Sequence, residues 1–348
     1  MYDTIVIGAG QAGISIGYYL KQSEQKFIIL DKSHEVGESW KDRYDSLILF
    51  TSRMYSSLPG MYLEGEKHGF PSKDEIGAYL KKYVGKFEIP IQLRTEVISV
   101  LKLKNYFLIK TNREEYQTKN LVIATGPFHT PSIPSISKNL ANNINQLHSS
   151  QYKNSKQLVH GNVLVVGGGN SGAQIAVELS KERVTYLACS NKLVYLPLLV
   201  RKRSIFWWFD KLGVLNASNT SILGKFIQKK GDPIFGYELK HAIKQKEIIL
   251  KKRVISGNQN EIIFQDSSKL EVNNIIWATG FSNPLSWIQI EGFFDKEGEI
   301  IHDRGVSTVE GLYFIGLPWQ HRRGSALLQG VGNDADYIVK QIINISGE

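Results

Sequence analysis

Apolar residues gather in short unbroken runs, and two of these runs end in the same pattern. Residues 4–7 lead into Gly8-Ala9-Gly10-Gln11-Ala12-Gly13, and residues 163–166 lead into Gly167-Gly168-Gly169-Asn170-Ser171-Gly172. Runs this short, rich in valine and isoleucine and followed by glycine, predict buried strands. The stretches after them, 11–21 and 171–181, predict helices. Two further runs, 121–123 and 275–277, both end in Ala-Thr-Gly, at Thr125-Gly126 and Thr279-Gly280. A strand is also predicted over 311–316 and a helix over 331–343. The prolines of 127–134 predict an extended linker.

Strand, glycine turn and helix in that order form a dinucleotide-binding unit. The first glycine makes the turn, the second admits a pyrophosphate and the third lets helix and strand pack closely. The N–H groups of the helix start then face the anion. Asp31 follows the next apolar run at the spacing of a carboxylate that binds a ribose hydroxyl, with a turn cap as its structural alternative. Two such units suggest two dinucleotides, and a flavin exchanging electrons with a nicotinamide is the simplest reason to bind both. The fold class is therefore α/β, with two Rossmann-like dinucleotide-binding domains, one inserted in the other. Residues 1–154 and 272–348 are expected to form the FAD-binding domain, and 155–271 the NAD(P)H-binding domain.

Composition narrows the chemistry. The single cysteine, Cys189, allows neither a disulfide nor a CxxC redox pair, and is read as inert. No metal-ligand spacing is present. No run reaches the roughly 18 apolar residues of a membrane span. The first run begins at Tyr2, leaving no room for a signal peptide, so a cytoplasmic protein is expected. The net charge of +9 is spread over scattered lysines, read as solvated faces that do not bind nucleic acid. Residues 193–223 are richest in bulky apolar side chains, with Phe206-Trp207-Trp208-Phe209 at their centre. Core packing is the first reading there, a substrate funnel, lid or membrane contact the second.

The two fingerprints, both Ala-Thr-Gly ends, Gly37-Glu38-Ser39-Trp40, Tyr44-Asp45-Ser46-Leu47, Phe70-Pro71-Ser72-Lys73-Asp74-Glu75 and Gln329-Gly330-Val331-Gly332 together resemble the flavin-containing monooxygenases. The small bacterial members fit best, with YUCCA-type and Baeyer–Villiger enzymes as cousins. His148 and Tyr152 match half of that family's linker signature, while Asn142 and Ile144 depart from it; His148 is read as orienting the domains. Phe50 stands where many members carry an asparagine beside the flavin.

The resemblance implies FAD and NADPH as cofactors, with NADH accepted, and transfer of one oxygen atom from O2 through a C4a-(hydro)peroxyflavin. The substrate would be a small nitrogen- or sulfur-containing molecule. Flavin-adjacent candidates are Phe50 and Ser52. Candidate cofactor residues are Gly8, Gly10, Gln11, Gly13, Asp31, Lys32, Trp40, Thr125 and Gly126, then Gly167, Gly169, Asn170, Ser171, Gly172, Ser190 and Lys192. Thr279, Gly280, Gln329 and Val331 complete the set. The strand over 184–188 ends without the carboxylate that favours NADH, which leans the second site to NADPH. Partners are a small-molecule substrate and O2, without nucleic acid or stable membrane insertion, and a homodimer is allowed. Two alternatives stay open: a flavin reductase that does not oxygenate, and a redox accessory protein that binds both dinucleotides.

Overall fold

The computed structural model describes residues 1–128, 130–282 and 284–346. Its first sheet carries the parallel strands β1 (Tyr2–Ile7), β2 (Phe27–Leu30) and β3 (Ile91–Gln92), then the antiparallel β4 (Val97–Lys102), β5 (Phe107–Thr111) and β6 (Glu115–Ile123). The first half of β6 pairs with β5, and its second half lies parallel to β1, with Ile7 opposite Ile123. Side chains alternate across a strand. Val6 of β1 therefore enters one core and Ile5 and Ile7 the other. Helices α1 (Gln11–Lys21) and α2 (Lys73–Phe87), with a long helix near the C-terminus, cover the Val6 face. Ile14 and Ile16 of α1 are wholly buried, each stabilising the fold by about 1.5–3 kcal/mol. A capping box starts α2: Ser72 Oγ accepts from the Glu75 N–H, and Glu75 Oε2 accepts from the Ser72 N–H at 2.8 Å.

The second sheet is all parallel, built from β7 (Asn145–His148), β8 (Val163–Val166), β9 (Thr185–Ala188), β10 (Ile248–Lys251) and β11 (Asn274–Trp277), in the order β10-β9-β8-β11-β7. Helix α3 (Asn170–Leu179) follows β8 and packs on this sheet. An antiparallel meander over 254–271 covers the opposite face, as β4–β6 do in the first domain. The expected bounds of the inserted unit, 155–271, differ from the sheet's membership. Both β7 and β11 lie outside them and pair within the second sheet, because strand partners are chosen by pairing across the whole fold.

The chain passes between the sheets twice, after β6 and after β11, and the two crossings pair with each other: Thr130–Pro131 runs antiparallel to Phe281–Ser282. Of the linker expected over 127–134, His129 lies outside the described residues. Returning to the first sheet, β12 (Leu312–Phe314) lies parallel to β6. The C-terminal helix that follows starts at Leu328 and reaches Ser346, longer at both ends than the expected 331–343. Between β9 and β10 an excursion carries three short helices, α4 (Ile205–Lys211), α5 (Ile222–Lys230) and a third over Glu238–Lys244. The long C-terminal helix is α6.

Candidate cofactor sites and the segment between them

Both glycine turns have the same three-part geometry. Gly8 and Gly167 hold φ of +106° and +120°, and a Cβ at either would lie 2.7 Å from the Ala124 oxygen or 2.2 Å from the Ala278 oxygen. This explains the Ala-Thr-Gly strand ends: each brings its backbone against the first glycine, where only a residue without Cβ fits. A Cβ at Gly13 or Gly172 would meet the oxygen of Gly8 or Gly167 at 1.9 and 2.1 Å, so the third glycine lets the helix sit on its own turn. At Gly10 and Gly169 a Cβ would meet nothing within 4 Å. The middle glycine of each turn therefore borders open space at a helix start that has no side-chain cap and no acidic residue in its first turn. That is a cradle for a pyrophosphate, and it occurs twice. The residues fit the two dinucleotides that the sequence predicts.

Around the first cradle, Asp31 accepts from the Ala9 N–H through Oδ2 and from the Ser33 N–H through Oδ1 at 2.7 Å. The carboxylate thus fastens the glycine turn to the end of β2 and caps the following turn. Gln11 donates to the Ala326 carbonyl at 3.4 Å, linking α1 to the residues before α6. Thr125 and Gly126 lie at the end of β6, and Lys32 is exposed beside Asp31. Trp40 packs half-buried on the first core; Val331 is buried in it, with Gln329 close by in the first turn of α6.

Around the second cradle, Asn170 is more constrained than the sequence suggests. Its Nδ2 donates to the Pro233 carbonyl at 3.0 Å and its Oδ1 accepts from the Phe235 N–H at 3.0 Å. The side chain holds the 233–235 segment, leaving the backbone N–H for a ligand. Ser171, Ser190 and Lys192 are all exposed, the last two just beyond the end of β9. Thr279 Oγ1 donates to the Ser132 carbonyl, joining the two crossings.

His148 is buried and holds the second crossing. Its Nε2 donates to the Gly280 carbonyl at 2.9 Å, and its Nδ1 accepts from the Ser150 N–H at 3.2 Å. Burial pushes its pKa below the ordinary range, with the Gly280 carbonyl acting the other way. The unfolded chain takes up a proton near pH 6.5 and the folded protein does not. Stability from the neutral ring is present above that pH and is lost as pH falls towards the folded value. Denaturation midpoints at about pH 7.5 and 5.5 are expected to differ more for the parent than for His148→Gln; equal differences would sink this reading.

Cys189 is half-buried, and burial raises its thiol pKa to about 11. It should ignore thiol reagents at pH 8 until the protein is denatured, and Cys189→Ser should keep normal reduction by NADPH. Among the described residues no cluster of His, Cys, Asp and Glu could hold a metal.

The segment with Phe50 and Ser52 lies against the second fingerprint helix. Tyr44 donates to Gln174 Oε1 at 2.9 Å, Gln174 Nε2 donates to the Ile48 carbonyl at 3.0 Å, and Ser46 donates to Glu178. On the other side the Leu49 N–H donates to the Pro71 carbonyl at 2.9 Å, so residues 44–50 are held between the two nucleotide domains. Ser52 is fully buried with a hydroxyl that has no partner. Phe50 stacks on Phe235 at 4.6 Å and 13°, with Phe206 at 6.1 Å. Neither partner was expected from the sequence, though Phe206 belongs to the aromatic run in 193–223. Its burial bears out core packing as the first reading for that residue. A further contact joins the excursion to the loop after β12. Asn219 donates to the Trp319 carbonyl at 3.0 Å, and Arg322 donates to Asn216 Oδ1 at 3.2 Å.

The chain is similar to known proteins. The family described as pyridine nucleotide-disulphide oxidoreductase matches residues 5–193. The oxidoreductase CzcO of Bacillus subtilis (strain 168) is 88% identical over 342 residues, 98% of this chain and 99% of that protein. A probable indole-3-pyruvate monooxygenase of Arabidopsis thaliana, YUCCA1, is 28% identical over 380 residues, 98% of this chain and 90% of that protein. A flavin-containing monooxygenase from Stenotrophomonas maltophilia has the same fold: TM-score 0.81, 24% identity, and 99% of both chains covered.

Proposed function

This chain belongs to the pyridine nucleotide-disulphide oxidoreductase family, and from that premise we propose an FAD-dependent, NADPH-driven monooxygenase that transfers one oxygen atom of O2 to a small nitrogen- or sulfur-containing molecule. The first sheet would hold FAD and the second NADPH. The observation that carries the reading is the contact of residues 44–50 with both domains, because a segment touching both borders the place where flavin and nicotinamide can meet.

Bound FAD supplies the redox chemistry; the chain supplies placement and exclusion of water. The amides after Gly10 and Gly169 would bind the two pyrophosphates. Asp31, already fixed by Ala9 and Ser33, would accept from a ribose hydroxyl. Ser190 and Lys192 would meet the adenosine end of the nicotinamide cofactor, where no carboxylate repels a 2′-phosphate. Ser52 Oγ is a buried donor without a partner, suited to a polar edge of the flavin. Phe50, Phe206 and Phe235 form the dry wall beside it.

The same wall favours a second reading. A phenylalanine stacked on Phe235 offers no hydrogen bond at that position, which suits a reductase that passes electrons to another acceptor. Anaerobic reduction by NADPH and by NADH, followed by admission of oxygen, separates the two. A transient absorbance distinct from oxidised and reduced flavin supports oxygenation. Direct return to oxidised flavin overturns it in favour of the reductase.

A further inference from the structure

The excursion between β9 and β10 uses its inner side to wall the Phe50 cluster, and its outer side has no role in that chemistry. On α5, Gly224 faces inward, where an added Cβ would lie 1.8 Å from the Ser218 carbonyl oxygen. The opposite face carries Ile222, Leu223 and Phe226, which are 92, 43 and 55% exposed. Ile222 and Phe226 are four residues apart and so are neighbours on the helix surface. Leu212, at the end of α4, is 71% exposed. Contiguous exposed apolar side chains of this kind mark an interaction surface.

The charge beside them limits the partner. Residues 193–231 hold seven lysines and arginines against one carboxylate, Asp210. Three of the lysines, Lys225, Lys229 and Lys230, are on α5 itself, and Lys230 Nζ lies 4.4 Å from the Phe226 ring centroid. The partner must be anionic and must also accept apolar side chains. A second copy offering the same face would bring like charges together. Nucleic acid would satisfy the lysines and leave Ile222 in water. We propose that this face seats on an anionic phospholipid bilayer, with Ile222, Leu223 and Phe226 entering the acyl boundary and the lysines reaching the headgroup phosphates. Among the described residues no helix is long and apolar enough to cross a membrane, so α5 would lie in the interface plane.

Co-sedimentation of the flavin-loaded full chain with lipid vesicles tests this. Vesicles of phosphatidylcholine with phosphatidylglycerol are expected to retain the protein, and phosphatidylcholine alone to leave it in solution. Lys229→Ala/Lys230→Ala should weaken retention roughly fivefold per lysine, and added salt should weaken the parent in the same way. Ile222→Asp/Phe226→Asp should abolish retention at low salt, with Ile222→Ser as a milder second variant. Retention of the parent and the aspartate variant alike would overturn the proposal, as would binding to nucleic acid or an acidic protein without binding to vesicles. Flavin content and reduction by NADPH should be normal in every variant, so failure here leaves the proposed reaction standing.

Discussion

A Gly10→Val chain is expected to fold and to lose its flavin, while Gly169→Val keeps flavin and loses reduction by NADPH. The reason is the open space at both positions. A Cβ at Gly10 or Gly169 meets no protein atom within 4 Å, so the apoprotein tolerates the substitution. The same Cβ, with two branches added, fills the approach to the helix-start amides. Overpacking costs about 1–3 kcal/mol, and each 1.4 kcal/mol is tenfold in affinity. Because the displaced pyrophosphate also forfeits its hydrogen bonds to those amides, affinity should fall on the order of a hundredfold. Flavin absorbance of the purified protein, its thermal midpoint against apoprotein, and stopped-flow reduction read the three effects. The third glycines provide the contrast. Gly13→Ala and Gly172→Ala place a Cβ at 1.9 and 2.1 Å from a carbonyl oxygen, so they should destabilise the fold itself. If Gly10→Val retains flavin at the parent level, the first cradle does not hold the pyrophosphate.

This contrast also shows why some of the molecule was legible in the sequence. The glycine turns and their strand partners are local: Gly8 needs positive φ and a bare α-carbon whatever surrounds it, and Ala124 is the end of the strand beside it. The domain bounds were less legible, because β7 and β11 are assigned by pairing with each other and with β8 across more than a hundred residues of chain. Asn170 reads as a ligand residue in its motif, yet its side chain is taken by Pro233 and Phe235, partners that no spacing rule announces. Phe50 is similar. Its departure from asparagine is visible in sequence, but the ring that replaces the amide's partner comes from Phe235, on the far side of the excursion.

Arg304→Ala is expected to produce the largest loss of stability outside the glycine turns. Asp334 of α6 is wholly buried and accepts from Arg304 Nε at 3.0 Å, while its Oδ2 has no partner. Removing the arginine leaves a buried carboxylate without its ion pair, a change that costs about 3–5 kcal/mol at fully buried sites. Arg304 is 24% exposed, which places the expected cost at the lower end. Arg322 depends on the same carboxylate: burial lowers its pKa and Asp334 acts to restore it. Arg322 also holds Asn216 of the excursion, so the loss should reach the contact between the domains. Chemical denaturation should therefore show an earlier transition in Arg304→Ala, and flavin should dissociate more readily because α6 begins at Leu328 beside Gln329 and Val331. Arg304→Lys keeps the charge without the guanidinium geometry and should recover part of the loss. Replacing both partners, Arg304→Met/Asp334→Leu, should recover part of it as well, limited by Arg322 losing its counter-charge. An Arg304→Ala protein with the parent's transition would mean that Asp334 is sustained by groups other than this pair.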